Sequence, residues 1–394
     1  MGGQDHRANL NNMNRLSFYR LLVRIGFALL ILLINFACTN PEGSEGIEVL
    51  DPTEENEESS DSPEGLYFPP SQSPEWETLS PAILGWDSSG EQALEEYLLS
   101  KETKAFIVLK DGKIVVEWYF GSHTQNTSWY WASAGKTLTS YTLGIAQEEG
   151  LLSLDDTSSD YLGVGWTSAT AEQESAITVR HHLTMTSGLD DTAFDCVSPE
   201  CLTFLAEAGS RWAYHNGPYT LLQQVISSAS SSSFEDYFNS RIRNRIGMDG
   251  FWFSTSGTNN VFFSSARSMA RFGLLNLANG QWNGQSILGD TAYLNDLKSP
   301  SQELNSSYGY LYWLNGQDDF RLPGLQALFN GQLIPNAPAD TFAGLGTNDQ
   351  KLFIVPSQNL VIVRMGEDAG TSQLGPSSFD TELWDLLNAW IVYD

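Results

Sequence analysis

The run Ala105-Phe106-Ile107-Val108-Leu109, the pair Asp111-Gly112 and the run Ile114-Val115-Val116-Glu117-Trp118-Tyr119-Phe120 decide how this chain folds. Two β-rich runs around Asp-Gly, a pair that accepts the left-handed backbone of a tight turn, predict a hairpin. A matching unit lies near the other end, where Leu352-Phe353-Ile354-Val355 and Leu360-Val361-Ile362-Val363 flank Pro356-Ser357-Gln358-Asn359. A helix over 379–391 follows it, with Ser378 as N-cap and Phe379, Leu383, Leu386, Leu387 and Trp390 on one apolar stripe. The middle, roughly 121–340, is richer in helical patterns and loops. Strands at both ends with helices between predict an α/β (α+β) fold. One antiparallel sheet is completed by both chain ends, the last helix packs on it, and the inserted helical region forms a cleft. No internal repeat is visible.

The chain has 394 residues, enough for one large domain or two ordinary ones, and 41% are hydrophobic, enough for a sizeable core. Against 20 Lys+Arg stand 48 Asp+Glu, a net charge of −28. Such a surface repels phosphate backbones and argues against nucleic acid as a partner. Solubility is the plain reading of the charge.

Residues 1–37 read as a signal peptide: Arg7, Arg15, Arg20 and Arg24 precede an apolar run from Ile25 to Phe36, too short to span a membrane. Ala37-Cys38 follows directly and is similar to the cleavage and lipidation site of bacterial lipoproteins. Residues 38–78 hold twelve acidic residues between Glu42 and Glu77 and no Lys or Arg, with much Pro, Ser and Gly. That composition predicts a disordered tether. The folded domain is expected over 79–394. The protein is therefore expected to be exported, periplasmic or at the cell surface, with a lipid at Cys38 as its one link to a membrane. The remaining cysteines, Cys196 and Cys201, have no second ligand pair nearby and make a poor zinc site. An exported compartment favours a local disulfide, and two free buried thiols are the alternative.

The chemistry centres on Trp131-Ala132-Ser133-Ala134-Gly135-Lys136. Of the seven lysines only Lys136 has a serine three residues before it. Ser133 opens a helical pattern with Ala134, Leu138, Tyr141 and Ile145 on one face and Gly150 to end it. At that spacing Ser133 and Lys136 share a helix face. Partial burial and the positive helix N-terminus both disfavour a charged lysine, which must be neutral to accept a proton. The same terminus stabilises negative charge at Ser133. The competing reading is a solvated helix lysine. A second segment, Arg211-Trp212-Ala213-Tyr214-His215-Asn216-Gly217, contains Tyr-x-Asn. A tyrosine against the serine can relay its proton to a leaving group, and an amide can hold the lysine and the substrate carbonyl; a core tyrosine is the bland alternative. His181 and His182 read as structural, and His215 should point away from Tyr214. There is no Gly-x-Ser-x-Gly elbow, zinc motif or phosphate loop, and no cofactor is implied.

With these motifs on the page, the chain resembles the serine β-lactamase and penicillin-binding-protein superfamily, in its class C and esterase-like branch, from about residue 80 onward. Gly150 to Asp156, Ile177 to Leu189, Phe263 to Gly273 and Tyr308 to Trp313 add to the resemblance in the right order. It implies a β-lactamase/transpeptidase-like fold. Ser133 would be acylated, Lys136 and Tyr214 would share proton transfer, and Asn216 would position them. The Ser133 N–H would be half of an oxyanion hole and the segment Gly344-Leu345-Gly346-Thr347 the other half, with Gly346 and Thr347 against substrate. Here the chain departs from the pattern. The resemblance calls for Lys-Thr-Gly or His-x-Gly where Gly344-Leu345-Gly346 stands, so the side chain that recognises a substrate carboxylate is missing. This counts against β-lactams and peptidoglycan and favours small esters or amides cleaved through an acyl-enzyme. A non-catalytic binding or sensor domain is the alternative, and a β-lactamase or D-amino-acid peptidase a further one.

Overall fold

The computed structural model describes residues 65–254, 260–370 and 375–393. The expected signal segment, Cys38 and the acidic stretch through residue 64 lie outside the described residues. The strands that position the site are β1 (Thr103–Lys110), β2 (Lys113–Tyr119), β3 (Trp129–Tyr130), β4 (Phe251–Ser254), β5 (Asn260–Ser264), β6 (Trp313–Leu314), β7 (Phe342–Gly346), β8 (Gln350–Val355) and β9 (Leu360–Gly366). The main helices are α1 (Ser88–Ser100), α2 (Lys136–Glu148), α3 (Asn216–Ser230), α4 (Ala266–Leu277) and α5 (Ser378–Trp390).

Both hairpins enter one six-stranded sheet, in the order β2-β1-β9-β8-β7-β6. The first and last strands of the fold thus meet at its centre, where Ile107 pairs with Val363 and Val108 with Ile362, antiparallel. Every residue of β8 and β9 is buried. Strands covered on both faces lose the alternation of a half-exposed sheet, and this is why they read as unbroken apolar runs. Alternation survives in what each residue touches. Phe353 packs edge-on against Trp384 of α5 at 5.6 Å. Its neighbour Leu352 and the nearby Val361 face α4, where a Cβ on Gly273 would stand 2.4 Å from Val361 Cγ1. Helix α1 lies beside α5, with Trp86 against Trp390 at 4.7 Å. Full burial of each such side chain contributes roughly 1.5–3 kcal/mol, so the two-faced sheet is the main source of rigidity.

Three details differ from the sequence reading. Helix α5 is capped by Ser377 rather than Ser378; the Asp380 carboxylate accepts the Ser377 N–H at 2.7 Å, a reciprocal cap. Order begins before residue 79. Trp76 is buried with its indole N–H on the Gly112 carbonyl at 2.8 Å, and Thr78 bridges to Ile114. The Arg271 guanidinium, itself buried, donates to the Pro69 and Pro70 carbonyls at 3.3 and 2.9 Å. The last part of the acidic stretch is therefore fastened to the domain by its few aromatic and proline residues. Finally, the inserted region contains a second sheet, β3-β5-β4, that pairs Trp129 with Ser264 and Tyr130 with Phe263. A two-residue strand is too short to show a period.

Candidate active site

The small sheet delivers the nucleophile. Trp131, directly after β3, is fully buried; its N–H donates to the Phe262 carbonyl at 2.9 Å and its indole N–H to Ser264 Oγ at 2.8 Å. Ala132 then takes φ +47°, a left-handed backbone that costs a non-glycine residue roughly 1–3 kcal/mol. The bend leads into a 3-10 turn over Ala132–Gly135 and into α2, which begins at Lys136. Ser133 therefore sits in a tight turn at the helix start rather than in the helix itself. Lys136 still reaches it, with Nζ 3.1 Å from Ser133 Oγ. The lysine is 3% exposed, and burial pushes its pKa down to about 7 against the opposing pull of Asp195. Its nitrogen lies 4.3 Å from the centroid of the Tyr219 ring and 5.1 Å from that of Tyr214. Near neutral pH a large fraction of this amine is free to take a proton.

Tyr214 is buried among aromatic rings, with Trp313 stacked at 5.9 Å and Phe194 at 6.2 Å. Burial raises the pKa of its phenol, against a smaller opposing pull from the nearby Ser133 side chain. The phenol is thus a neutral group near the nucleophile, suited to pass a proton rather than to hold a charge.

Asn216 is the first residue of α3 and lines the same cavity, but its amide goes elsewhere than expected. Its Nδ2 donates to Asp195 Oδ1 at 2.7 Å instead of gripping the lysine, and Oδ1 is buried without a hydrogen-bond partner among the described residues. Asp195 arrives on a loop closed by the Cys196–Cys201 disulfide. The Asn216 N–H donates to the Phe194 carbonyl at 3.1 Å, which ties that loop to the start of α3.

On the opposite wall, β7 runs along the Ser133 turn. A Cβ on Gly346 would lie 2.5 Å from the Trp131 carbonyl oxygen and 3.0 Å from the Ala134 nitrogen. The glycine lets Thr347 reach the cavity rim. At Gly344, where the resemblance calls for lysine, a Cβ would meet Thr137 Cγ2 at 3.1 Å and the Ala134 carbonyl at 3.2 Å. Both contacts are tight, so the start of α2 would have to give by a few tenths of an ångström to admit a side chain at this position.

The cavity measures about 400 Å³ and is lined by Ser133, Lys136, Asp195 and Asn216 together with Tyr130, Ala132, Phe194, Tyr219, Asn260, Val261, Phe263 and Thr347. Ser133, Lys136, Tyr214, Asn216, Gly346 and Thr347 are thus brought together. Among the described residues, the histidines stay apart from this chemistry. His182 is fully buried between Ser158 Oγ at 2.9 Å and the Pro218 carbonyl at 2.7 Å, and burial pushes its pKa down to about 4. His181 bonds Thr178, and His215 is buried in an extended cap position before α3.

Several functional neighbours were missed. Tyr219 lies one turn beyond Asn216 on α3, a spacing that the sequence did display. Asp195 had no signal beyond its place next to a cysteine. The turn after Thr347 was missed too. Asn348 and Asp349 both take positive φ. Their carbonyls accept from Arg364 Nη1 at 2.9 and 3.0 Å, and Asn348 Nδ2 donates to the Tyr130 hydroxyl at 2.7 Å.

Comparison with known proteins agrees with this geometry. A family model described as Beta-lactamase matches residues 98–378, and the chain belongs to that family. Proteins with this fold are in general serine hydrolases. A putative β-lactamase from Bacteroides dorei DSM 17855 superimposes with a TM-score of 0.61 at 16% identity, over 78% of this chain and 99% of that one. A putative 6-aminohexanoate-dimer hydrolase from Bacillus anthracis gives 0.61 at 21% identity, over 82% and 87%. At such identities the likeness concerns the fold. An uncharacterized protein of Alkalihalophilus pseudofirmus is 25% identical over 302 residues, 68% of this chain and 84% of the relative.

Proposed function

We propose that this protein is a serine hydrolase that cleaves small carboxylic esters or amides through an acyl-enzyme. The observation that carries the reading is the contact of a fully buried Lys136 amine, with its pKa near 7, to Ser133 Oγ at 3.1 Å inside an open cavity. Neutral Lys136 takes the Ser133 proton as Oγ attacks the carbonyl carbon. The tetrahedral oxyanion receives N–H donors from Ser133 and from Thr347 at the end of β7, a contribution of about 10²–10³ in rate per donor. Tyr214 hands the proton on to the departing alkoxide or amine. Water then attacks the acyl-serine with Lys136 and Tyr214 in reversed roles, which releases the acid and restores the serine.

The choice of esters or amides over β-lactams is supported by the cavity wall, where Lys136 is the sole cation among the described lining residues and a glycine stands at position 344 in place of a basic residue. Export is part of the same proposal, supported by the N-terminal sequence and by a disulfide of the kind that persists in oxidising compartments. A fluorophosphonate probe should label Ser133, and a panel of p-nitrophenyl esters, short amides and nitrocefin should show turnover of esters or amides that Ser133→Ala abolishes. Wild-type hydrolysis by that variant would overturn the nucleophile assignment.

A further inference from the structure

The turn that follows Thr347 has a strained backbone. Asn348 and Asp349, neither of them glycine, follow one another at φ +58° and +55°, in the left-handed region that such residues seldom occupy. That conformation lasts only where its surroundings hold it. Two buried polar side chains do so here. Arg364 on β9 is 0% exposed, and its Nη1 donates to the Asn348, Asp349 and Glu367 carbonyls at 2.9, 3.0 and 2.9 Å. Its Nη2 donates to the Lys101 carbonyl at 2.7 Å and its Nε to Thr103 Oγ1 at 3.2 Å. Gly366 makes the space for this fork, since a Cβ there would lie 2.4 Å from Nη2. Gln350, also fully buried, donates through Nε2 to the Asn348 and Gly366 carbonyls at 2.8 and 2.7 Å, and to that of Thr347 at 3.3 Å.

Packing alone does not call for an arginine at this place. Its neighbours on β9 are Val361, Ile362, Val363 and Met365, and burial pulls the guanidinium pKa down to about 10. An apolar residue of similar size in place of a buried charge is often neutral or stabilising for a fold. The clamped turn, however, meets the cavity at two points. Thr347 lines it directly, and Asn348 Nδ2 donates to the hydroxyl of Tyr130, another lining residue, at 2.7 Å. Tyr130 directly precedes Trp131, from which the Ser133 turn starts.

We propose that Arg364 and Gln350 are positioning residues for hydrolysis: by clamping the left-handed turn they fix the Thr347 N–H and, through Asn348 and Tyr130, its spacing from the Ser133 turn. The inference rests on the reading of this cavity as a serine hydrolase site with Thr347 in the oxyanion hole.

The test compares Arg364→Met, Arg364→Lys and Gln350→Met with the wild type, on the best p-nitrophenyl ester and well below each variant's melting temperature. Both methionine variants should lose about tenfold or more in kcat, part of what one oxyanion donor supplies, with KM changed by less than about threefold. Affinity for a phenylboronic acid, whose tetrahedral adduct with Ser133 sets an oxygen in the oxyanion position, should fall with kcat. The pH inflection set by Lys136 should stay in place. Arg364→Lys keeps the charge without the planar fork and should fall between wild type and Arg364→Met. If Arg364→Met does not fold, Gln350→Met carries the comparison, since it removes the clamp and no charge. A lower melting temperature with kcat and boronate affinity unchanged would assign both residues to packing and overturn the proposal. A crystal structure of Gln350→Met separates this failure from that of the hydrolase reading. A turn that leaves the left-handed region and releases Tyr130, in a chain whose wild type cleaves no ester or amide, upholds the clamp and sinks the hydrolase. A turn unmoved in that variant sinks the clamp even in an active hydrolase.

Discussion

A Cβ placed on Gly346 would lie 2.5 Å from the carbonyl oxygen of Trp131, so strand β7 touches the nucleophile turn with no space for even a methyl group. Backbone atoms form that contact and cannot swing aside as a side chain can. Gly346→Ala should push β7 away from Ser133 and move the Thr347 N–H off the oxyanion. Overpacking of this kind costs about 1–3 kcal/mol. We expect a folded, less stable protein whose kcat falls at least tenfold with the best ester substrate. Unchanged kcat would mean that β7 supplies nothing to the transition state.

The pH dependence follows from Lys136. Its pKa in the folded protein is about 7, lowered by burial from the ordinary lysine value of about 10.5. The neutral amine is the base, so kcat/KM should rise through pH 7 and level off above it. Asp195 opposes the shift, and Asp195→Asn should therefore move the inflection to lower pH. Between pH 7 and 10.5 the unfolded chain holds a proton at this position that the native state has released, so this group's contribution makes the fold more stable as pH rises across that window. Lys136→Met should remove that slope and reduce turnover by about two orders of magnitude or more. A rate that falls with rising pH across 6–8 would sink the assignment of Lys136 as base.

Tyr214 separates packing from chemistry. Its ring is stacked against Phe194 and Trp313, whereas its hydroxyl is the part that feels Ser133. Tyr214→Phe keeps the rings and removes the proton relay. Thermal unfolding should change little, while turnover of amides, whose leaving group needs a proton, should fall more than turnover of p-nitrophenyl esters, whose leaving group does not. An equal effect on both would point to a positional role for the ring.

Lys351 is wholly buried, with Nζ 3.1 Å from Asp349 and 2.8 Å from Asp380, and it joins the turn after Thr347 to helix α5. The Asp349 carboxyl, pushed up by burial, is held below its ordinary range by this lysine and the Ser377 hydroxyl. Lys351→Met leaves two carboxyl groups in the interior without their cation, a loss of about 3–5 kcal/mol. Denaturant unfolding should register it. A change under about 1 kcal/mol would show that water or protonation replaces the lysine at low cost.

What the sequence by itself determined is what short-range order encodes. The apolar runs at 105–109, 114–120, 352–355 and 360–363 specified strands, and Ser133 and Lys136 three residues apart specified a shared face at a helix start. Those features depend on period and spacing, which survive without knowledge of the rest of the chain. That both hairpins share one sheet was legible from strands at both chain ends with helices between, whereas the pairing of β1 with β9 came from the fold. Tertiary structure alone decided the partners. Asp195 meets Asn216 because a disulfide loop folds back onto the start of α3. Lys351 finds Asp349 and Asp380 because α5 lies against the sheet. Gly344 comes close to Thr137 and the Ala134 carbonyl because β7 runs along the start of α2. A buried charge or an unpaired amide oxygen must be satisfied by whatever the fold brings within about 3 Å, and no local pattern in the chain records which residue that will be.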